Sequence, residues 1–132
     1  MGSVPAIADI DDVLRANRAF YEAFEARDLD AMSDVWEHSD RSSCTHPGWR
    51  RLDGWASISA SFYAIFTGPQ PIQFILTGER AEIVGDAAWV MVDENILGDD
   101  AGATASAVNV FVRDGAGWHM VVHAASQVLS QS

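Results

Sequence analysis

The sequence is short of cysteine, of basic residues and of long apolar runs, and each shortage excludes something. A single cysteine, Cys44, has no partner for an internal disulfide, which fits a reducing compartment such as the cytoplasm. Lysine and arginine total 8 against 19 aspartates and glutamates, a formal charge of −11. Nucleic acid needs a basic footprint and an anionic membrane needs basic attraction, so neither partner is expected. No uncharged apolar run is long enough for a secretory leader or a membrane span. Phosphate-binding glycine loops, nucleotide fingerprints and the nucleophile elbow are absent, and no cofactor is expected. No metal is expected either: His119 and His123 share a strand parity, but no single element carries ligand spacing. Both are read as sheet-surface or dimer-face residues.

What is present is enough apolar material for one core. The 132 residues are 48% apolar, which suits a single domain over 1–132 with an ordered core at about 8–129. Ile10, Val13, Leu14, Phe20, Tyr21 and Phe24 recur at helical spacing, with Asn17 the odd polar residue on their stripe. Asp28 caps a second helix with Leu29, Met32 and Trp36 inward. A third helix starts after Asp53 as N-cap, carries Trp55, Ile58, Phe62, Ile65 and Phe66, and stops at Gly68-Pro69. Four strand segments follow: 72–84, 87–97, 103–113 and 118–129. The turns between them are Gly85-Asp86, Asp99 to Gly102 and Asp114 to Gly117. Helices followed by hairpin-linked strands predict an α+β domain, three helices on one face of a curved antiparallel sheet.

The strands are apolar on both faces. Ala107, Asn109 and Phe111 alternate with Val108, Val110 and Val112, and Trp89 and Met91 alternate with Val90 and Val92. Helices cover only one face, so the valine-rich face predicts a homodimer through the sheet. Between the second and third helices lies Cys44-Thr45-His46-Pro47-Gly48-Trp49-Arg50-Arg51, a loop dense in reactive side chains. Proline holds His46 extended, at the end of a short strand. Cys44 is expected to be a small buried thiol, and Arg50 and Arg51 solvated charges.

Several stretches in this order resemble the nuclear transport factor 2-like superfamily, its SnoaL-like branch in particular. They are Phe20 to Phe24 with Arg27 to Met32, Cys44 to Trp49, Gly54-Trp55 with Ile58, Ala88 to Val90 with Glu94 to Ile96, Asn109 to Phe111 and Gly117 to Ser126. The resemblance implies a cone-shaped, cystatin-like fold. That fold hosts enzymes, binding proteins and association domains alike. The superfamily's steroid isomerases imply a catalytic base at His46, an oxyanion-hole donor at Asn109, and a second donor at the position held here by Phe20, which has none. An imidazole accepts a proton near neutral pH, and an amide stabilises developing negative charge.

The expected pocket takes a small organic ligand. Its lining is Phe20, Trp36, His46, Trp49, Phe62, Trp89, Met91, Asn95, Asn109, Phe111, Val122 and Ser126. Asp93 and Glu94 have opposite parities, so only one of them faces it. Cofactor-free acid–base chemistry (isomerase-, cyclase- or hydratase-like) is the leading function. A non-catalytic binding or sensing module and an association domain are the alternatives, the last ranked below because no flanking domain accompanies these residues.

Overall fold

The computed structural model describes residues 7–98 and 102–129. The turn expected at Asp99 to Gly102 falls largely outside them. In chain order the elements are α1 (Ile7–Ala26), α2 (Leu29–Val35), β1 (Ser43–Thr45), β2 (Leu52–Asp53), α3 (Trp55–Thr67), β3 (Gln73–Val84), β4 (Ala87–Leu97), β5 (Ala103–Asp114) and β6 (Gly117–Gln127). The helices pack on one face of a curved, unclosed sheet of six strands, ordered β2-β1-β6-β5-β4-β3. This is the expected α+β architecture. The long strands form the expected antiparallel meander, but β1 lies parallel to β6, pairing Cys44 with His123. That pairing carries the His46 loop across to the far end of the chain.

Local chemistry explains most element ends. α1 stops where Arg27 adopts a left-handed conformation at φ 54°, with Asp28 N–H donating to the Ala23 carbonyl. Asp28 then caps α2, accepting from the Ala31 N–H at 3.0 Å, as expected. Leu29, expected inward, is exposed at the first position of that helix. Asp53 does not cap α3. It sits in β2 with its carboxylate on Arg51, and Gly54 is the cap residue, without a side-chain bond. Gly85-Asp86 closes a two-residue hairpin with Gly85 at φ 60°, a conformation glycine adopts without cost.

The core is aromatic at its centre. Phe20 is fully buried and meets Tyr21, Phe24, Trp36 and Phe62 edge-on. Phe111, Met120, Val90 and Ile58 complete it from the sheet and α3. In β5 the inward set is Ala105, Ala107, Asn109 and Phe111. Register carries the inward set of β4 as Ala88, Val90, Val92 and Glu94. Trp89, Met91, Asp93 and Asn95 therefore point to the other face, against the expectation for Trp89, Met91 and Asn95.

Two irregularities re-aim side chains. In β6, Phe111 pairs with Met120 and Val110 with Val122, so Val121 is an extra, unmatched residue. The bulge reverses parity along the strand. His119 pairs with Val112 on the outer face, whereas His123 pairs with Asn109 and is buried inside. The shared parity read for the two histidines is thus broken, and Val122 and Ser126, expected in the pocket, fall outward. In β3 the register shifts between Thr77 and Arg80. Gly78 takes φ 67°, and Glu79 turns in toward α1.

Candidate functional site

A cavity of about 230 Å³ opens between the sheet, the end of α1 and the His46 loop. Its walls are mostly apolar, from Phe24, Pro47, Trp49, Ile65, Ile72, Phe74 and Ile96. Three titratable side chains reach it from three strands or their ends: His46 after β1, Glu94 on β4 and His123 on β6. All three are buried. The parallel pairing of β1 and β6 brings the two imidazoles to a centroid separation of 6.3 Å. His46 also packs against Trp49 at 4.9 Å and Phe62 at 5.1 Å.

Each of the three has a defined partner. The Ser61 hydroxyl has one proton, and the Ile58 carbonyl at 2.7 Å can only accept it. Ser61 Oγ must therefore accept from His46 Nε2 at 2.9 Å, so the lone pair of His46 lies on Nδ1. Tyr21 Oη donates to Glu94 Oε2 at 2.6 Å. His123 Nδ1 lies 2.6 Å from Asn109 Oδ1. The Asn109 amide donates to Asn17 Oδ1 at 2.8 Å and to Tyr21 Oη at 3.1 Å. The polar stripe residue of α1, Asn17, is thereby explained.

Burial sets the protonation states. It lowers His46 to about 4 and, with His46 nearby, His123 to about 3, so both are neutral at pH 7. Burial raises the Glu94 carboxyl to about 7 against the opposing Tyr21 hydrogen bond. Burial and the Glu94 charge keep Tyr21 protonated, and burial lifts the Cys44 thiol to about 12, so Cys44 is no nucleophile. Glu94 is thus the one group of the site that gains and loses a proton near neutrality. Among the described residues no cluster of His, Cys, Asp or Glu has the geometry to hold a metal ion.

Of the residues expected in the pocket, His46 and Trp49 line it, Trp49 as a 46% exposed rim residue. Phe20, Trp36, Phe62 and Phe111 are core behind the wall, each buried and packed on other apolar groups. Asn109 is fully buried, and both its amide hydrogens are already donated, so it cannot polarise a ligand as expected. Trp89, Met91, Asn95, Val122 and Ser126 are on the outer face for the reasons of register and bulge given above. Of the Asp93–Glu94 alternative, Glu94 is the one that faces the cavity, and His123 is the site residue that sequence reasoning left out. Glu94 had one signal, an acidic residue on the strand's Val90-Val92 parity; His123 had none, since its position depends on the Val121 bulge.

Helices on one face of a curved sheet, with a small polar-tipped pocket at the open end, define a class, and comparison supplies the family. The SnoaL-like domain model matches residues 13–130, and the chain belongs to that family, within the nuclear transport factor 2-like superfamily. A solved protein from Streptomyces avermitilis, named provisionally as a dehydratase of the NTF2-like family, is 37% identical at TM-score 0.87, over 93% of this chain and 98% of its own. Another, described provisionally as a calcium/calmodulin-dependent protein kinase type II association domain from Thiobacillus denitrificans, is 33% identical at TM-score 0.73, over 97% and 99%. The F-box protein SKIP8 of Arabidopsis thaliana is 29% identical over 89% of this chain, which spans 50% of that relative's length.

Proposed function

We propose that the cavity binds a small organic ligand and moves a proton on it without a cofactor. The observation that carries this reading is the convergence of Glu94, His46 and His123 on one otherwise apolar cavity of about 230 Å³. Burying ionisable groups is costly, and three of them on one cavity exceeds what packing alone requires. The dehydratase-named relative supports elimination of water, and a single buried carboxylate as the base suits a small β-hydroxy carbonyl compound, whose carbonyl acidifies the α-proton. Ionised Glu94 takes the proton α to the carbonyl, the C–C double bond forms as the C–O bond breaks, and protonated Glu94 returns the proton to the departing hydroxide as water. His46 Nδ1 and His123 Nε2 accept from ligand hydroxyl groups and hold the ligand in register. The apolar wall strengthens each of these contacts by excluding water.

The test is proton NMR in D₂O with a panel of β-hydroxy ketones and β-hydroxy thioesters. Loss of the α-proton signal or growth of an enone signal is expected, and Glu94→Gln abolishes both. Quenching of Trp49 fluorescence with no exchange in any compound would leave a binding module.

We further infer that the chain pairs as a homodimer through the outer sheet face. Ile75, Met91 and Val108 are exposed there, beside a groove of about 580 Å³. The association-domain relative supports this second reading. No helix among the described residues is long and apolar enough to cross a membrane.

A further inference from the structure

We propose that Glu79, outside the pocket, fixes the tautomer of His123 through Asn17 and Asn109, so that the pocket wall at Nε2 is a hydrogen-bond acceptor. The polarity of the chain of bonds follows from what each group can do. A carboxylate only accepts, so Asn17 turns its Nδ2 to Glu79 Oε2 at 3.2 Å and its Oδ1 the other way. Arg18 lies 3.5 Å from the other Glu79 oxygen. Asn17 Oδ1 in turn only accepts, so Asn109 must present its Nδ2, at 2.8 Å, and its Oδ1 points to His123. An oxygen there demands a proton on His123 Nδ1, at 2.6 Å. The neutral ring then carries its lone pair on Nε2.

The other branch of the network settles this only while Glu94 is ionised. Tyr21 Oη accepts from Asn109 and donates to Glu94, but a hydroxyl serves equally well in the reverse sense. With Glu94 protonated, Glu94 donates to Tyr21 and Tyr21 donates to a flipped Asn109. That flip would set Asn109 Oδ1 against Asn17 Oδ1, two acceptors in contact. Glu79 forbids it by holding Asn17. The β3 irregularity at Gly78 is what turns Glu79 inward. The pocket thereby keeps one fixed polarity while Glu94 changes its own protonation. It selects ligands that place an O–H or N–H at His123, and disfavours those that place a carbonyl there.

The use of this acceptor rests on the pocket reading above, but its test needs no ligand. In uniformly ¹⁵N-labelled protein at pH 7, His123 is expected to show a protonated Nδ1 and an unprotonated Nε2. Glu79→Ala is expected to convert that single tautomer into a mixture, and Glu79→Gln, whose carbonyl can still accept from Asn17, to retain it. A wild type with a protonated Nε2 overturns the proposal. So does Glu79→Ala with an unchanged spectrum, or Glu79→Gln behaving like Glu79→Ala. The pocket reading fails separately, by absence of binding and turnover with the tautomer intact.

Discussion

The two faces of the sheet carry opposite arrangements. On the inner face, Asn17, Glu94, Asn109 and His123 are buried, and every one is hydrogen-bonded to another polar side chain. On the outer face Met91 and Val108 are 44% and 39% exposed, although both are apolar. Buried polar groups demand partners, and exposed apolar groups invite cover. The inner face is therefore closed by its own partners apart from the Trp36 indole N–H, which is buried without one among the described residues, and the cavity, where we propose that a ligand binds. The outer face leaves apolar side chains in water, and there we propose that a second copy of the chain covers them. One sheet separates a small-molecule problem from a protein-contact problem.

The largest effect should come from the inner face. General acid–base groups contribute about 10²–10⁴-fold in rate, so Glu94→Gln should lower turnover of any active compound by that factor. His46→Ala removes a ligand partner and should raise KM more than it lowers kcat. Equal loss of kcat in both variants would move the proton-transfer role onto the pair. On the outer face, Val110→Lys should split the dimer, since Val110 lies between Trp89 and Val122 on neighbouring strands and a buried ammonium there has no partner. Light scattering at micromolar concentration checks this, and a monomeric wild type would end the dimer reading.

Stability against pH gives the next effect and tests the inner face without a ligand. His46 and His123 are lowered from 6.5 to about 4 and about 3 in the folded chain. Unfolded, they bind protons that the folded state refuses, so their contribution is full above pH 6.5 and is lost as pH falls toward 4 and below. For His46 the shift corresponds to about 3 kcal/mol. Glu94 runs the other way. Raised from 4.5 to about 7, it stabilises the folded chain below pH 4.5, and this is lost as pH rises through 7. Two histidines outweigh one glutamate on the acid side, so stability should rise from pH 5 to about pH 7; above that the last of the histidine gain and the glutamate loss nearly cancel, and stability should stay level. Urea titrations at pH 5, 6.5 and 8 should show the rise and the plateau, and Glu94→Gln, which removes the opposing loss, should let the rise continue from pH 6.5 to 8.

The comparison also shows what could be read from the chain. The element order, the Asp28 cap, the hairpins and the β5 parity were legible, because turn residues and helical stripes have local causes. The β4 face was not. Trp89 and Met91 are as apolar as Val90 and Val92, so hydrophobicity does not fix register when both faces are apolar, and a one-residue slip exchanges the whole set. His123 was beyond reach for a different reason: one unmatched residue, Val121, reverses the strand's parity, and nothing in its composition announces it. His46 was legible because proline and a short strand define its position locally. Glu94 and His123 depend on long-range register, and so the site was half visible.

The smallest effect offers the sharpest comparison, because the same residue type occurs on both faces. Asn109 sits inside, where its loss leaves Asn17, Tyr21 and His123 each short of a partner in a dry core. Asn109→Ala should cost about 3 kcal/mol, the penalty of stranding buried polar groups. Asn95 sits outside, donating to the Ile75 carbonyl and to Thr77, and accepting from Thr104. It makes at least as many bonds as Asn109, so a count of bonds predicts an equal cost. Water reaches the outer face of a free chain, however, and replaces what is lost, so Asn95→Ala should cost under about 1 kcal/mol. Chemical denaturation at several protein concentrations separates the two cases. A cost for Asn95→Ala near that of Asn109→Ala, growing with protein concentration, would place Asn95 inside a dry dimer interface. A small cost at every concentration would confine that interface to the valine strip of β5 and leave the β3–β4 edge of the outer face in water.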